Sequence, residues 1–142
     1  MIVIDANLLI YAYDANSAEH KRSAAWLEGA LSGMDAVGLP WQCVCAFMRV
    51  VTNRRLPGMR VELNAALAVV EEWLRMPNVQ ILVPADKHWS VFRRMVVDGQ
   101  ASGPRISDAE LAALTIENGG VLYTSDRDFA RFPELRFVNP LT

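Results

Sequence analysis

The sequence predicts an α/β fold in which helices cover both faces of a mostly parallel sheet. Three observations carry this. Short β-branched or apolar runs (Ile2-Val3-Ile4, Val79 to Val83, Val121 to Thr124) alternate with longer stretches whose apolar residues recur every three or four positions. The runs are cut off by an acid, a proline or a polar turn, as strands that feed helices should be. At 142 residues, 52% of them hydrophobic, the chain has the length of one domain and can bury roughly 70% of its unfolded surface. A single domain over residues 1–142 is expected, without repeats, low-complexity tracts or a dividing linker.

The first strand, Ile2 to Ile4, stops at Asp5, which sits in a junction because Leu8, Leu9, Ile10 and Tyr11 are again apolar. Asn16-Ser17-Ala18-Glu19 reads as a helix start, a cap residue with Glu three positions on. Ala24, Leu27 and Leu31 continue that helix until Gly33. Ala36 to Leu39 is a second strand closed by Pro40. From Trp41 the positions Val44, Cys45, Met48 and Val51 keep helical rhythm, and Phe47 and Val50 widen the apolar face, so this helix should be deeply packed. Thr52 to Met59 is a loop, and Leu63, Leu67, Val70 and Leu74 form one stripe of the next helix, which Pro77 ends.

Val79 to Val83 makes the third strand. Pro84-Ala85-Asp86 opens a helix through Trp89, Phe92 and Val96, with Asp86 as its start signal. Gly99 to Pro104 is polar and glycine-bearing, a mobile loop on this reading. Ser107-Asp108-Ala109-Glu110 starts a helix that Gly119-Gly120 terminates, Val121 to Thr124 is the fourth strand, and Ser125 to Phe129 begins a short helix. Arg136-Phe137-Val138 is the last strand.

The net charge of −2 and a pI near 5.6 give no global basic footprint for nucleic acid. Local arginines can still hold phosphates while acids hold a cation. No apolar run approaches the roughly 18 residues of a membrane span, so a cytoplasmic protein with no membrane partner is expected. Cys43 and Cys45 stand two apart in an apolar stretch, a poor geometry for a disulfide, and read as buried free thiols.

The informative residues are the acids. Asp5 ends the first strand, Asp126 and Asp128 follow the fourth, and Asp108 lies in the first turn of the helix that feeds it. Each has a structural explanation: Ser107 with Glu110, and Ser125 with Asp128, match a capping box, and acids in a first turn complement the helix dipole. Together they would share the rim at the carboxyl ends of the strands, where open α/β sheets bind ligands. Carboxylates gathered there repel one another and call for a cation. Oxygen ligands suit Mg²⁺ or Mn²⁺ and hence phosphate chemistry. His20 and His88 lack ligand-like spacing, which argues against zinc. Nucleophile elbow, P-loop and dinucleotide fingerprint are all missing, and Asp5-Ala6-Asn7 lacks the second Asp of an aspartyl-phosphate phosphatase.

The chain resembles the VapC-type toxin ribonucleases of the PIN-domain group. The resemblance is carried by Ile4-Asp5-Ala6-Asn7-Leu8-Leu9-Ile10-Tyr11, Leu39-Pro40-Trp41 and Ala46-Phe47-Met48-Arg49-Val50-Val51-Thr52-Asn53. It continues in Asp108-Ala109-Glu110-Leu111-Ala112-Ala113-Leu114 and in Thr124-Ser125-Asp126-Arg127-Asp128-Phe129-Ala130-Arg131-Phe132. It implies a three-layer α/β/α domain with a parallel sheet of four to five strands and a metal-dependent endoribonuclease site. Asp5, Asp108 and Asp126 become the metal ligands, for Mg²⁺ or alternatively Mn²⁺, and Asp128 a peripheral fourth catalytic acid. One departure stands out. Many members carry a Glu in the second helix ahead of an Arg, and here Ala46 occupies that place before Arg49. Either Glu110 or Asp128 compensates, or the site holds its ion with fewer ligands, or the domain is an idle PIN-like binding module.

Asn7, Thr124 and Ser125 are polar near the same strand ends and can tune the acids or merely cap turns. Arg49, Arg54, Arg55, Arg127 and Arg131 are candidates for RNA phosphates, with a solvated face as the alternative. Trp41 and Phe47 are read as core rather than as base-stacking platforms. The resemblance also implies a VapB-like antitoxin whose segment occupies the acidic groove, an RNA substrate, and a homodimer.

Overall fold

The computed structural model describes residues 1–56 and 61–142. Five strands, β1 (Ile2–Ile4), β2 (Val37–Pro40), β3 (Val79–Leu82), β4 (Val121–Tyr123) and β5 (Phe137–Val138), form one sheet in the order β3-β2-β1-β4-β5. All four neighbouring pairs are parallel. The strands are short and lie in the middle of the molecule, so their near-continuous apolar content is what a sheet covered on both faces requires.

Among the described residues six α-helices join them: α1 (Ala6–Tyr11), α2 (His20–Leu31), α3 (Trp41–Val51), α4 (Leu63–Arg75), α5 (His88–Asp98) and α6 (Arg105–Glu117). The chain steps from β1 to β2 to β3 in one direction and then returns across β1 to β4. Right-handed crossovers therefore place α1 to α4 on one face and α5 with α6 on the other, giving three layers. The packing agrees, since α1 lies against α2 and α3, and α5 against α6. The strand order reverses between β1 and β4, so this pair is the topological switch point, at whose carboxyl end open α/β sheets bind ligands.

Phe47 and Trp73 anchor the core on the first face, their ring centroids 4.7 Å apart, with Tyr13 edge-on to Phe47 at 5.5 Å. On the other side Phe132 packs so closely on Gly99 that a Cβ there would collide with its ring. Arg131 Nη1 donates to the Gly99 carbonyl at 3.1 Å. The segment from Gly99 to Pro104, expected to be a mobile loop, is thus anchored at its start against the chain that follows β4.

Other expectations need correction. The junction after Asp5 is a six-residue helix, too short to show a periodicity. The helix expected from Asn16 begins at His20, because Ser17 Oγ accepts the Glu19 N–H in a local turn instead of capping. Pro84 to Asp86 precede α5 without capping it. Trp41 is 51% exposed and not core, and Cys45 is exposed while Cys43 is buried. On α4 the buried residues are Ala66, Val70 and Trp73, and Leu63, Leu67 and Leu74 face outward. The large indole of Trp73 decides which side turns inward. The end of the loop expected over Thr52 to Met59 lies outside the described residues.

These differences separate two apolar helix positions by their packing. Phe47→Ala should cost about 3–5 kcal/mol in urea unfolding, since it empties a fully buried site. Leu67→Ala, at a position 44% exposed, should stay within about 0.5 kcal/mol of the parent. Equal losses would contradict the packing.

Candidate active site

Asp5 is placed by the sheet and fixed by a hydroxyl. Its backbone N–H donates to the Tyr123 carbonyl at 3.0 Å, extending the β1–β4 ladder by one residue. Its carboxylate caps α1, Oδ1 accepting the Ala6 N–H at 2.7 Å. Oδ2 accepts the Thr124 hydroxyl at 2.7 Å. Thr124 is itself buried, and its oxygen accepts two further bonds, from Asn7 Nδ2 at 3.3 Å and from the Asp126 N–H at 3.0 Å. One donor and two acceptor positions are thereby used, which is the full capacity of a hydroxyl. Capping α1 and serving as a ligand are compatible roles for Asp5, because the cap fixes the orientation of its carboxylate at the strand end. Among the described residues Ser125 makes no side-chain hydrogen bond into this network.

Asp126 caps the 3₁₀ turn Arg127–Arg131 by accepting the Asp128 N–H on Oδ1 at 2.9 Å. The cap is therefore Asp126 and not Ser125. Asp108 lies in the first turn of α6, which begins at Arg105 with Pro104 before it, so Ser107 and Glu110 are inside the helix and form no capping box. Arg105 bridges the two segments: Nη1 reaches Asp108 Oδ2 at 3.3 Å and Nη2 reaches Asp128 Oδ2 at 2.5 Å. Those bonds to Asp128 and Asp108 hold its guanidinium above its ordinary pKa.

The acids influence one another. Asp5 is raised from its ordinary 3.8 to about 6, chiefly by burial and further by the charges of Asp108 and Asp126, against the lowering bonds from Thr124 and Ala6. Asp108 is raised chiefly by burial, against the Arg105 bond, with Asp126 adding to the rise and Arg131 relieving it. Beneath them Cys43 is fully buried, and burial with the nearby Asp5 charge pushes its thiol well up, leaving it inert.

The residues fit a hard divalent cation in kind: every donor is oxygen, the acids raise one another's proton affinity, and Asn7 Oδ1 is a buried oxygen with no hydrogen-bond partner among the described residues. As they stand, no three Asp, Glu, His or Cys side chains among the described residues close on one point. Arg105 occupies Asp108 and Asp128 instead.

Neither expected substitute for the missing Glu is free. Asp128 is held by Arg105. Glu110 accepts Gln42 Nε2 at 2.5 Å and pairs with His88 Nε2 at 3.0 Å, while His88 Nδ1 meets Glu117 at 2.5 Å. His88 thus has a structural role between α5 and α6. Arg49, Arg54, Arg55 and Arg127 are exposed, and Arg131 is half-buried beside Asp108. Arg105 is absent from the sequence-based candidates, although its place three residues ahead of Asp108 in a first turn is the signal for it.

The model of the PIN domain matches residues 2–135. The chain belongs to the PIN-domain family. This PIN domain is 36% identical to Ribonuclease VapC37 of Mycobacterium tuberculosis over 140 residues, covering 99% of this chain and 97% of that protein. It is 38% identical over 141 residues to VapC ribonuclease Mb2897 of Mycobacterium bovis, covering 99% and 96%. Its backbone resembles that of Rickettsia felis VapBC2 bound to a promoter DNA fragment, with TM-score 0.69, 15% identity and 98% of each chain covered. It also resembles Mycobacterium tuberculosis VapC20, a toxin that cleaves the sarcin-ricin loop, with TM-score 0.64, 20% identity, and 96% and 99% covered. PIN-domain ribonucleases are generally metal-dependent.

A raised carboxylate pKa has a definite consequence for stability. Asp5 favours the fold fully below pH 3.8, and that contribution is lost as pH rises through about 6. The displacement corresponds to about 3 kcal/mol. In EDTA, Asp5→Asn should therefore be more stable than the parent at pH 7.5, by about 1–3 kcal/mol once altered hydrogen bonding is counted. The gain should vanish near pH 4. Denaturant unfolding at the two pH values checks the sign.

Proposed function

We propose that this PIN domain is the toxin of a toxin–antitoxin pair, an endoribonuclease that hydrolyses RNA phosphodiester bonds with Mg²⁺, or Mn²⁺ in its place, held by Asp5, Asp108 and Asp126. The observation that carries the reading is the half-buried carboxylate of Asp5, fixed by Thr124 at the switch point with Asp108 and Asp126 close enough to raise its pKa. Its full-length similarity to Ribonuclease VapC37 supports the reaction and the RNA substrate.

The ion, when bound, supplies Lewis acidity and lowers the pKa of a coordinated water. The chain's own groups do the rest. Thr124 keeps the Asp5 carboxylate in one orientation, so no reorganisation is needed as charge develops. Asp126 or Asp128 orients the attacking water and takes its proton, while the bond from phosphorus to the leaving oxygen breaks. The exposed guanidiniums of Arg49, Arg54, Arg55 and Arg127 suit backbone phosphates. An antitoxin segment fits the same groove, an arginine from it meeting the acids as Arg105 does. A homodimer would cover part of the exposed Leu63, Leu67 and Leu74 on α4.

Purified protein should cut structured RNA in Mg²⁺ or Mn²⁺ and stop in EDTA. Asp5→Ala should be least tolerated, with Asp108→Ala and Asp126→Ala also losing at least about 100-fold. Asp128→Ala should lose less than these three, because Asp126 is also placed to take the proton. Cleavage that persists in EDTA or in Asp5→Ala overturns the metal mechanism. No cleavage of any RNA, and no growth arrest on expression without the partner, would favour the idle binding module.

A further inference from the structure

Arg105 is placed against the preference of its own helix. It is the first residue of α6, where the unpaired N–H groups and the helix dipole favour negative charge and oppose a cation. Its side chain is about one-third exposed. What holds it is a pair of carboxylates from two different elements, Asp108 on α6 and Asp128 in the 3₁₀ turn after β4, each taking a separate nitrogen of the guanidinium fork. Asp128 is 23 residues away in the chain, so the contact forms only when the sheet brings these segments together. The surface pair Arg94–Glu134 offers a contrast, since it joins one arginine to one acid and touches none of the residues around Asp5.

The same Asp108 is needed as a ligand under the function proposed above, and this inference rests on that reading. With Oδ2 bonded to Arg105, Asp108 cannot turn both oxygens to an ion, and a guanidinium a few ångströms from a divalent cation repels it. Occupancy of the cluster by Arg105 and by the ion are therefore opposed, and linkage requires each to weaken the other by the same factor.

We propose that Arg105 is a built-in counter-ion: it neutralises Asp108 and Asp128 in the metal-free protein and must leave Asp108 before a divalent cation is firmly bound. Arg105 is a positioning residue on this account. It sets the concentration of metal at which the acids become a site.

The test is a calorimetric Mn²⁺ titration of the full chain at pH 7.5, comparing wild type with Arg105→Ala, Arg105→Gln, Arg105→Lys, Arg94→Ala and Asp108→Asn. Arg105→Ala and Arg105→Gln should bind Mn²⁺ about three- to tenfold more tightly, the scale of a partly exposed two-acid ion pair. Arg105→Lys should fall between them and wild type, and Arg94→Ala should match wild type. In EDTA, Arg105→Ala should melt below wild type, and saturating Mn²⁺ should narrow that gap. Arg105 variants that keep the native circular dichroism yet bind Mn²⁺ no more tightly than wild type would overturn the proposal and leave the function standing. If Arg105→Ala fails to fold, the Gln and Lys variants decide the matter. Mn²⁺ binding unchanged in Asp108→Asn would place the ion elsewhere and overturn both.

Discussion

The site depends on the hydrogen bond from the Thr124 hydroxyl to Asp5. β1 and β4 are distant in sequence, and their parallel pairing ends with Ile4 opposite Tyr123, which brings the next residues, Asp5 and Thr124, side by side. Thr124 then uses all its hydrogen-bonding capacity at once, donating to Asp5 and accepting from Asn7 and Asp126. Two strand ends, a helix start and a 3₁₀ turn are joined through one buried oxygen. A partly satisfied polar group there would be costly, whereas a saturated one defines a single arrangement. Replacing Thr124 by Val would keep the shape and lose all three bonds.

Around this fixed point the electrostatics are unfavourable by construction. Asp5 is raised to about 6 because partial burial and the neighbouring acids both penalise its charge, and Asp108 is raised for similar reasons. Gathering such groups costs stability, and carboxylates that perturb one another in this way are what the proposed metal site would use. Arg105 partly offsets the repulsion from outside, where it contacts the two more exposed acids and leaves Asp5 alone. That division suits a metal site. The deepest carboxylate is preorganised, and the shallower ones are held by a side chain that can move.

Much of this was legible in the sequence. The strands and the principal helices follow from apolar runs and periodicity, and the three acids fall at strand ends or at the start of a helix that feeds a strand, so a parallel sheet necessarily puts them on one rim. What periodicity cannot give is which stripe of a helix faces inward. On α4 the expected stripe Leu63-Leu67-Val70-Leu74 competes with Ala66-Val70-Trp73, and bulk packing chooses the second, which shares only Val70 with the first. Trp41 is misjudged for a related reason: it opens α3 at the carboxyl end of β2, before the packed middle of the helix. The capping boxes at Ser107 and Ser125 fail because Pro104 starts α6 earlier and Asp126 caps first. The Glu110–His88–Glu117 and Arg105–Asp128 contacts link segments far apart in the chain, and no local pattern announces them.

The central claim is that Asp5, Asp108 and Asp126 together bind one divalent ion at the β1–β4 switch point. Crystals soaked in Mn²⁺ and measured at a wavelength where manganese scatters anomalously test it most directly. The account predicts one strong anomalous peak within coordinating distance of Asp5 and Asp108, with Asp126 bound directly or through water, and with Arg105 turned away from Asp108. A peak elsewhere on the surface, or none beside Asp5 while Arg105 still bridges Asp108 and Asp128, would contradict it.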